Sequence, residues 1–334
     1  MIRVTQFMRR PSPGAFSIER LFEDVRRHLP SGIEARVCTN RFASRGILRR
    51  AYDIVRARRH QGHVNHITGD VHFLTLLLDR RRTLLTIHDC DSLRRTRGVR
   101  HWALHLFWYW LPVRRSALVT TISESTRRQL LQEAGCDPAA VRVVHDCVSP
   151  EFRPAPRAFD TQCPRILQVG TKANKNIEVH AAALDGIACR LVVIGELSRP
   201  QRAVLASHGI AFEEYVGLSR SELLEQYRGC DLLLFASTYE GFGLPIVEAQ
   251  VVGRPVVTAN VWSMPEVAGD GACLVDPHDV ASVRAGVQRI IDDAAYRERL
   301  VARGFANVER FRAAAIAEQY AALYREIHRN GRAR

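Results

Sequence analysis

Short apolar runs rich in β-branched residues alternate with stretches of helical periodicity along most of the chain. This alternation is typical of parallel α/β domains, in which a helix follows each strand and covers the sheet. In the first half, the pattern predicts strands near 3–7, 34–38, 64–68, 83–88, 118–122 and 141–144. Between them it predicts helices over 17–28, 44–58, 99–111 and 123–134.

The pattern is interrupted once and then starts again. Within fifteen residues the chain carries four prolines, at 150, 154, 156 and 164, which is a density typical of a linker. Beyond it, strands are predicted near 165–169, 190–194, 212–216, 232–236 and 255–258. Ser219 and Glu222 have the spacing of a capping box at the start of one intervening helix. The stretch 313–327 has apolar residues at helical spacing.

The chain is therefore predicted to be an α/β protein of two Rossmann-like domains with parallel sheets. The predicted ranges are 1–149 for the N-terminal domain, 150–164 for the linker, 165–310 for the second domain and 311–334 for a C-terminal helix. The length of 334 residues agrees with two domains of ~150 residues each. Because such sheets bind ligands at the carboxyl ends of their strands, we expect a ligand site in a cleft between the domains.

Neither a secretory signal nor a membrane span is evident in the sequence. The N-terminal residues run directly into a strand pattern, and no uncharged apolar run reaches the ~18 residues of a spanning helix. The eight cysteines are scattered and include no Cys-x-x-Cys pair, which favours reduced thiols over disulfides or a zinc site. We therefore expect a cytoplasmic protein.

The positive charge is confined to the first half. Residues 1–150 carry 26 arginines and 13 acidic residues, whereas residues 151–334 carry 22 of each sign. A one-sided basic field attracts an anionic partner such as a membrane surface, a lipid-linked phosphate or a nucleic acid. The alternative is that the arginines only keep the protein soluble. Because no nucleic-acid-binding motif accompanies the charge, nucleic acid is not expected as a partner.

A basic, aromatic stretch over 94–115 leaves two interpretations open. It can lie on the inner face of an anionic membrane, or it can be a core helix with an arginine-rich outer face. Adjacent aromatic residues such as Trp108, Tyr109 and Trp110 point to different sides of a helix, which weakens the amphipathic interpretation.

The chain's two lysines lie in one short loop. Lys172 and Lys175 are the only lysines among 48 basic residues, and both follow the predicted strand that ends before Gly170. A loop that opens a helix exposes backbone N–H groups suited to a phosphate. A compact ammonium acts on a diphosphate as a point charge, which explains lysine here and arginine elsewhere. The alternative is an ordinary solvated loop.

The most specific segment is Ser-Thr-Tyr-Glu-Gly-Phe-Gly-Leu-Pro-Ile-Val-Glu-Ala over 237–249. An apolar strand feeds a turn with Gly241 and Gly243, whose backbone N–H groups can approach a ligand closely. Glu240 and Glu248 flank this turn. Carboxylates are poor phosphate ligands but accept hydrogen bonds from sugar and ribose hydroxyls.

This segment resembles the Glu-x7-Glu motif of the retaining glycosyltransferases of family 4, which have the GT-B fold. The resemblance continues through Gly-Arg-Pro-Val-Val at 253–257, Ser-Met-Pro-Glu-Val-Ala-Gly at 263–269 and Val-Asp-Pro at 275–277. Thr-Ile-Ser-Glu-Ser-Thr at 121–126 agrees as well, and the opening over 13–19 resembles the acceptor-side loop of such enzymes. The resemblance also implies that the C-terminal helix packs back on the N-terminal domain.

The resemblance assigns roles by position. Glu248 would bind the donor ribose, Lys175 the diphosphate, and Glu240 would lie beside the transferred sugar. The donor-side residues it implies are Gly170, Lys172, Lys175, Gly241, Phe242, Gly243, Leu244 and Glu248. The family usually places a basic residue shortly before the lysine; this loop is short, and Lys172 stands nearest.

The resemblance places His88 near the reacting sugar and makes Asp89, Gly14 and Phe16 acceptor-side residues. A strand-end histidine is otherwise often structural. A second cluster, His66, Asp70 and His72, invites a metal interpretation, but an acceptor-contacting role for Asp70 or a structural role is favoured. No metal or other cofactor is expected, because lysine and helix dipoles manage the leaving-group charge in this fold.

The predicted function is retaining, metal-independent transfer of a hexose from a nucleotide-diphosphate sugar to a hydroxyl of a glycan or lipid-linked acceptor. Polysaccharide or glycolipid assembly is the setting that analogy provides. The alternatives are an epimerase or phosphorylase on the same scaffold, or a non-catalytic binding protein. Neither lysine stands in the context that a pyridoxal-phosphate phosphorylase requires, and the intact glutamate pair disfavours a non-catalytic protein.

Overall fold

The structure is a computed structural model and describes residues 1–10, 17–44, 46–94 and 96–331. The chain divides into two compact units, one of residues 1–149 with 312–334 and the other of residues 150–311. The C-terminal helix thus belongs to the first unit, and the proline-rich segment over 150–164 belongs to the second. Within the described part of the chain, no helix combines the length and apolar character needed to cross a bilayer.

The first unit contains six strands with helices between them. The strands are β1 (Ile2–Met8), β2 (Ile33–Thr39), β3 (Val64–Ile67), β4 (Thr83–Ile87), β5 (Leu118–Thr121) and β6 (Val141–Val143). The α-helices are α1 (Ser17–Arg27), α2 (Ile47–Arg58), α3 (Asp91–Arg94), α4 (Gly98–Leu104), α5 (Leu111–Arg114), α6 (Glu124–Ala134) and, at the end of the chain, α14 (Ala313–Asn330).

The strands of this unit form one parallel sheet in the order β2-β1-β3-β4-β5-β6. From β1 the chain first adds β2 on one side and then returns to add β3 to β6 on the other. The order therefore reverses between β1 and β3. In open α/β sheets, ligands bind at the carboxyl ends of the strands beside such a reversal.

Helix α14 covers one face of this sheet. Ile316, Tyr320 and Tyr324 are buried in a cluster that includes Val4 of β1 and Leu84 of β4. The spacing of these three helical residues places them on one side of α14, so the apolar stripe visible in the sequence faces the sheet.

A buried polar link fixes α14 to the sheet. Hydrogen bonds of 2.7 Å join Nδ1 of His66 to the Tyr324 hydroxyl and Nε2 of His66 to Oγ1 of Thr86. Burial lowers the pKa of His66 to about 3, so the imidazole stays neutral and both of its nitrogens are satisfied. Nε2 of Gln6 donates a further hydrogen bond to the same hydroxyl, at 3.3 Å.

The aromatic stretch that was predicted as one helix over 99–111 consists of three segments. A π-helix over His105–Trp110 separates α4 from α5. Wider π-turns change the phase of the helix, so the side chains no longer follow a single stripe. Tyr109 is buried, whereas Trp102 and Phe107 are 62% and 51% exposed. The stretch therefore contributes both to the core and to an exposed apolar surface.

The second unit repeats the α/β pattern. Its strands are β7 (Arg165–Val169), β8 (Arg190–Ile194), β9 (Ala211–Tyr215), β10 (Leu232–Phe235), β11 (Val256–Ala259) and β12 (Cys273–Val275). Its α-helices are α7 (Ile177–Leu184), α8 (Arg199–Ser207), α9 (Arg220–Gly229), α10 (Leu244–Val252), α11 (Met264–Ala268), α12 (Val280–Asp292) and α13 (Ala294–Val308).

The second sheet is also parallel, in the order β12-β11-β10-β7-β8-β9. Here the reversal falls between β7 and β10, which pair directly. The five strands predicted from the sequence are present, while β12 was not predicted because it has only three residues. The capping box of Ser219 and Glu222 is present at α9.

Replacing Tyr324 with Phe tests the buried link between α14 and the first sheet. The change removes the hydroxyl that bonds His66 and Gln6, and it leaves those buried groups short of a partner. We expect the free energy of unfolding to fall by about 1–3 kcal/mol. Urea denaturation measures it. Tyr52→Phe is the control, since Tyr52 is 48% exposed and its loss of a hydroxyl should change stability by less than about 0.5 kcal/mol.

Candidate functional site

Two loops of the second unit meet where its sheet reverses. One loop follows β7 and carries the two lysines, and the other follows β10 and carries Glu240. Because β7 and β10 are neighbours, the parallel arrangement brings both loops to the same edge of the sheet. The donor-side residues predicted from the sequence follow β7 or β10 and therefore lie at this edge.

The side chains of Lys175 and Glu240 form an ion pair between these loops. The distance from Nζ of Lys175 to Oε1 of Glu240 is 2.6 Å, and the side chains are only 15% and 14% exposed. The ammonium also lies 4.3 Å from the centre of the Phe235 ring, at the end of β10. Such little exposure reduces screening by water, so the pair holds the two loops in one arrangement.

The absence of a side chain at Gly170 leaves room for the side chain of Lys175. Gly170 has φ +90°, and a Cβ atom there would stand 2.8 Å from Cε of Lys175. Glycine is therefore required both by the left-handed conformation and by the close approach of the side chain. Lys172, by contrast, is exposed, and its side chain forms no ion pair or hydrogen bond with any residue the structure describes.

Further hydrogen bonds connect the two loops. Nδ2 of Asn174 donates to the carbonyl oxygen of Tyr239 at 2.9 Å and to Oε1 of Glu240 at 3.3 Å. The amide of Thr238 donates to the carbonyl oxygen of Asn174 at 2.8 Å. From the other side, Oγ of Ser263 donates to the carbonyl oxygens of Glu240 and Phe242, each at 2.9 Å. Both loops are therefore held before a ligand arrives.

Only one of the two carboxylate oxygens of Glu240 is used within the described residues. Oε1 accepts hydrogen bonds from Lys175 and Asn174, while Oε2 accepts none. A carboxylate oxygen without a hydrogen-bond partner can accept a hydrogen bond from a hydroxyl group. The arrangement suits a sugar hydroxyl beside an ammonium.

The two helices that follow these loops lack the side-chain caps of four other helices in the unit. Side chains cap α8, α9, α12 and α13. No side chain caps α7 or α10, which follow the lysine loop and the Glu240 loop. Gly243 lies at the start of α10 with φ 106°. The amides of the first turn, which helix bonding leaves unused, make both helix N-termini suitable for an anion.

Glu248 lies one helix turn deeper, on α10. Its Oε2 accepts a 2.5 Å hydrogen bond from the Tyr227 hydroxyl, and its Oε1 lies 3.9 Å from Nη1 of Arg220. Burial raises the pKa of Glu248, while Tyr227 and Arg220 favour its ionised form. Two residues of α9 therefore orient this carboxylate.

In the first unit, the ring of His88 is held on both sides. Nε2 donates to the carbonyl oxygen of Thr68 at 2.9 Å, which fixes the proton on that nitrogen. Nδ1 faces Oδ1 of Asp146 at 4.0 Å. The side chain is 10% exposed, so His88 has a defined orientation but presents little surface. Its predicted catalytic role stays a prediction.

The other acceptor-side predictions fall into two groups. Asp70 and Asp89 line the same cavity as His88, and Asp70 accepts a 3.0 Å hydrogen bond from Nη1 of Arg9. Gly14 and Phe16 lie outside the described residues. The structure thus brings three of the five predicted residues together.

The histidine cluster is divided between separate structural roles. His66 bonds Tyr324 and Thr86 inside the sheet, and Nδ1 of His72 bonds the carbonyl oxygen of Trp108 at 2.7 Å. Across the described ranges, no group of three or more His, Cys, Asp or Glu side chains is arranged to hold a metal ion.

Sequence reasoning did not identify several residues of the site. The residues in question contact the two predicted glutamates but were assigned no role from the sequence: Asn174 and Ser263 at Glu240, and Tyr227 and Arg220 at Glu248. Their contacts depend on which loops and helices become neighbours in the sheet. Asn174 lies in the lysine loop and Ser263 in the segment over 263–269, so both neighbourhoods carried a signal, but neither residue was given a role.

Asp146, a buried carboxylate whose Oδ1 lies 4.0 Å from Nδ1 of His88, was also not identified. It is 6% exposed, and its Oδ1 has no hydrogen-bond partner among the described residues. Burial raises its pKa from 3.8 to about 6, with His88 and His145 opposing the shift.

Asp146→Asn tests this shift through stability. A carboxyl whose pKa is raised on folding stabilises the fold only at low pH, so its contribution is lost as pH rises from about 4 to about 6. We expect Asp146→Asn to be more stable than the wild type at pH 8 by about 2–3 kcal/mol, with no such gain at pH 4. Urea denaturation at both pH values measures this. Exposed Asp270→Asn is the control, and an equal gain at both pH values would contradict the shift.

Comparison with known proteins agrees with the geometry of both units. The family model of glycosyltransferase family 4 matches residues 3–152, and the model of glycosyl transferases group 1 matches residues 151–306. The two models therefore meet at the boundary between the structural units and together cover most of the chain.

Two curated relatives match parts of the chain. O-antigen chain mannosyltransferase B of Escherichia coli is 44% identical over 85 residues, which cover 25% of this chain and 22% of the relative. D-inositol 3-phosphate glycosyltransferase of Mycolicibacterium smegmatis is 31% identical over 193 residues, covering 51% of this chain and 44% of the relative. The matching segments span less than half the length of either relative.

The fold is similar along nearly the whole chain to a solved structure. Anabaena HepE, in complex with UDP and glucose, superposes with a TM-score of 0.77 at 17% identity, covering 98% of this chain and all of HepE. At this identity the similarity shows the fold, which is GT-B. With both family models matched in order along that fold, the chain belongs to the group 1 glycosyl transferases of glycosyltransferase family 4.

Proposed function

We propose that this protein transfers a hexose from a nucleotide-diphosphate sugar to a hydroxyl of a glycan or lipid-linked acceptor, with retention at the anomeric carbon. The observation that carries the proposal is the ion pair of Lys175 and Glu240 at the reversal of the second sheet. It places an ammonium and a carboxylate beside two uncapped helix N-termini. An ammonium suits the diphosphate of such a donor, and a carboxylate suits the hydroxyls of its sugar.

Lys175 and the amides at the start of α10 would bind the donor diphosphate. The bond between C1 of the sugar and the diphosphate oxygen breaks, and its electrons leave with the nucleoside diphosphate. Fixed positive groups stabilise the charge that develops on this oxygen, and being held in advance they need little reorganisation. Metal independence is part of the proposal, since the chain supplies these charges itself.

The two glutamates would bind the hydroxyls of the donor. Oε2 of Glu240 accepts from a sugar hydroxyl, while Oε1 stays with Lys175. Glu248, oriented by Tyr227, accepts from the ribose. An acceptor hydroxyl then forms the new bond to C1 on the face that the diphosphate leaves, and its proton passes to the departing phosphate oxygen. Acceptor-side contacts are proposed for His88, Asp89 and Asp70 of the first unit.

Mannose is the first sugar to test. The Escherichia coli relative that is 44% identical over 85 residues is named as a mannosyltransferase of O-antigen chains, which supports mannose as donor sugar and surface-polysaccharide assembly as the setting. UDP and glucose in the HepE complex support a UDP-sugar as the competing donor. We propose a cytoplasmic location, with eight unpaired cysteines in support.

Lys175→Ala tests the central role. We expect kcat/KM to fall roughly 100- to 1,000-fold, since one fixed charge at the leaving group is lost. Transfer from GDP-mannose and UDP-glucose to a panel of glycan and lipid-linked acceptors is followed by NMR, which also reports the anomer of the product. Formation of the opposite anomer would contradict retention, and conversion of the donor without acceptor would indicate an epimerase.

Lys172→Ala is the matched control in the same loop. Because Lys172 is exposed and unpaired within the described residues, its removal should cost less than roughly fivefold. Equal losses in the two variants would show that the loop needs positive charge but not the specific contact of Lys175. Full activity of Lys175→Ala would refute the proposal.

Tyr227→Phe tests the orientation of Glu248. Removing the hydroxyl frees Oε2 of a buried carboxylate, so we expect the donor dissociation constant to rise about tenfold. Calorimetric titration with the nucleotide sugar measures it. Tyr215→Phe removes a similar hydroxyl, which donates to Glu213 at 2.7 Å on the edge strand β9, and should change nothing. Equal effects of the two variants would contradict the assignment of Glu248.

A further inference from the structure

The first unit contains a large apolar cavity beside the predicted acceptor-side residues. Its volume is about 920 Å³, within the ~300–1,000 Å³ of small-molecule sites. Helices α2 and α4, the π-helix and the segment after β3 form its walls. The apolar side chains that line it include Ile54, Phe73, Leu76, Ala103, Leu104 and Trp108.

One part of the cavity wall is polar. Asp70, His88 and Asp89 follow β3 and β4 at the carboxyl edge of the sheet and line the cavity together. The carboxylates suit hydroxyl groups, whereas most of the cavity offers nothing to a sugar. A ligand that fills the cavity must therefore be amphiphilic.

Arginines accompany the apolar wall. The guanidinium of Arg50 lies 5.0 Å from the centre of the Trp108 ring and donates to the carbonyl oxygen of Ser44 at 2.7 Å. Arg100 also lines the cavity, is exposed, and has no ion pair or hydrogen bond with any described residue. Arg100 is therefore available to an anionic group of the ligand.

The surface around the cavity is also unusual for a water-exposed face. Ile47 and Phe107 line the cavity and are 84% and 51% exposed, while Leu48, Val99 and Trp102 nearby on α2 and α4 are 86%, 85% and 62% exposed. Exposed apolar clusters of this kind mark binding sites. The π-helix at the cavity also supports a binding site, because π-turns are frequent at functional sites.

The charge of the unit indicates the sign of the ligand. Residues 1–149 and 312–334 carry 31 arginines against 15 acidic residues, whereas residues 150–311 carry 17 basic against 20 acidic residues. The basic field is confined to the unit that holds the cavity. It attracts a ligand with a negatively charged polar part.

We propose that this cavity binds the apolar chain of a lipid-linked acceptor, with Arg100 contacting an anionic group of the lipid carrier and Asp70 and Asp89 facing acceptor hydroxyls. The proposal rests on the proposed function and narrows its acceptor class. It differs from adsorption to a bilayer, because a single dispersed lipid molecule has to enter the cavity.

The direct test uses dansyl-undecanoic acid, an anionic fluorescent chain, with the full-length protein below the concentration at which the probe forms micelles. We expect saturable binding with a blue-shifted emission. Ala51→Trp and Ala103→Trp add bulk at the cavity wall, and each should weaken binding about tenfold or more. Unchanged melting temperatures show that the variants fold.

Matched controls lie on the same two helices. Leu48→Trp and Val99→Trp place the same side chain on residues that do not line the cavity, and should bind the probe as the wild type does. Arg100→Ala should weaken binding of the acid more than it weakens binding of the uncharged amide of the same probe. Equal weakening in control and cavity variants would show adsorption to the exposed surface, and would overturn the proposal, as would absence of saturable binding.

An activity measurement separates this proposal from the proposed function. In Ala103→Trp, KM for a lipid-linked acceptor should rise about tenfold relative to KM for a short water-soluble acceptor with the same sugar. Equal changes for the two acceptors would overturn the cavity proposal while leaving sugar transfer intact. If the wild-type protein transfers sugar to neither acceptor but still binds the probe, the proposed function is contradicted while binding of a lipid chain in the cavity is supported.

Discussion

The ion pair of Lys175 and Glu240 depends on a topological constraint, and the proposed donor site depends on this ion pair. Two loops far apart in sequence become neighbours only because β7 and β10 pair at the reversal of the sheet. The two side chains are only 15% and 14% exposed, so their contact holds the two loops in place. Under the proposed function, the ammonium would face the donor diphosphate, and Oε2 of Glu240 would accept a hydrogen bond from a sugar hydroxyl.

Around this ion pair, polar side chains hold the loops in place and do not cap helices α7 and α10. At α8, α9, α12 and α13, a serine or aspartate side chain accepts a hydrogen bond from a first-turn amide. At the ion pair, Asn176 takes a left-handed conformation and uses its side chain to bond the carbonyl oxygens of Ala236 and Pro277 instead. Ser263 likewise fixes the Glu240 loop. Polar side chains therefore brace the loops and leave the helix N-termini for a ligand.

The sequence predicted most of the fold because strands and helices follow local periodicity. It singled out Lys175 and Glu240, which form the ion pair, because lysine is so rare in this chain and the Glu-x7-Glu spacing is specific. It could not predict Tyr227, Asn174 or Asp146, whose contacts arise from burial and strand order. The π-helix was missed because aromatic residues on all sides of a helix give no single period, and β12 because three residues are too few for a pattern.

The most direct measurement compares nucleoside diphosphates with the corresponding monophosphates by calorimetric titration, in EDTA and again in Mg²⁺. If the chain's own charges neutralise the leaving group, the diphosphate should bind about tenfold or more tightly than the monophosphate, with the same ratio in both buffers. Equal binding of the two nucleotides, or a preference for the diphosphate that appears only with Mg²⁺, would contradict the role given to Lys175.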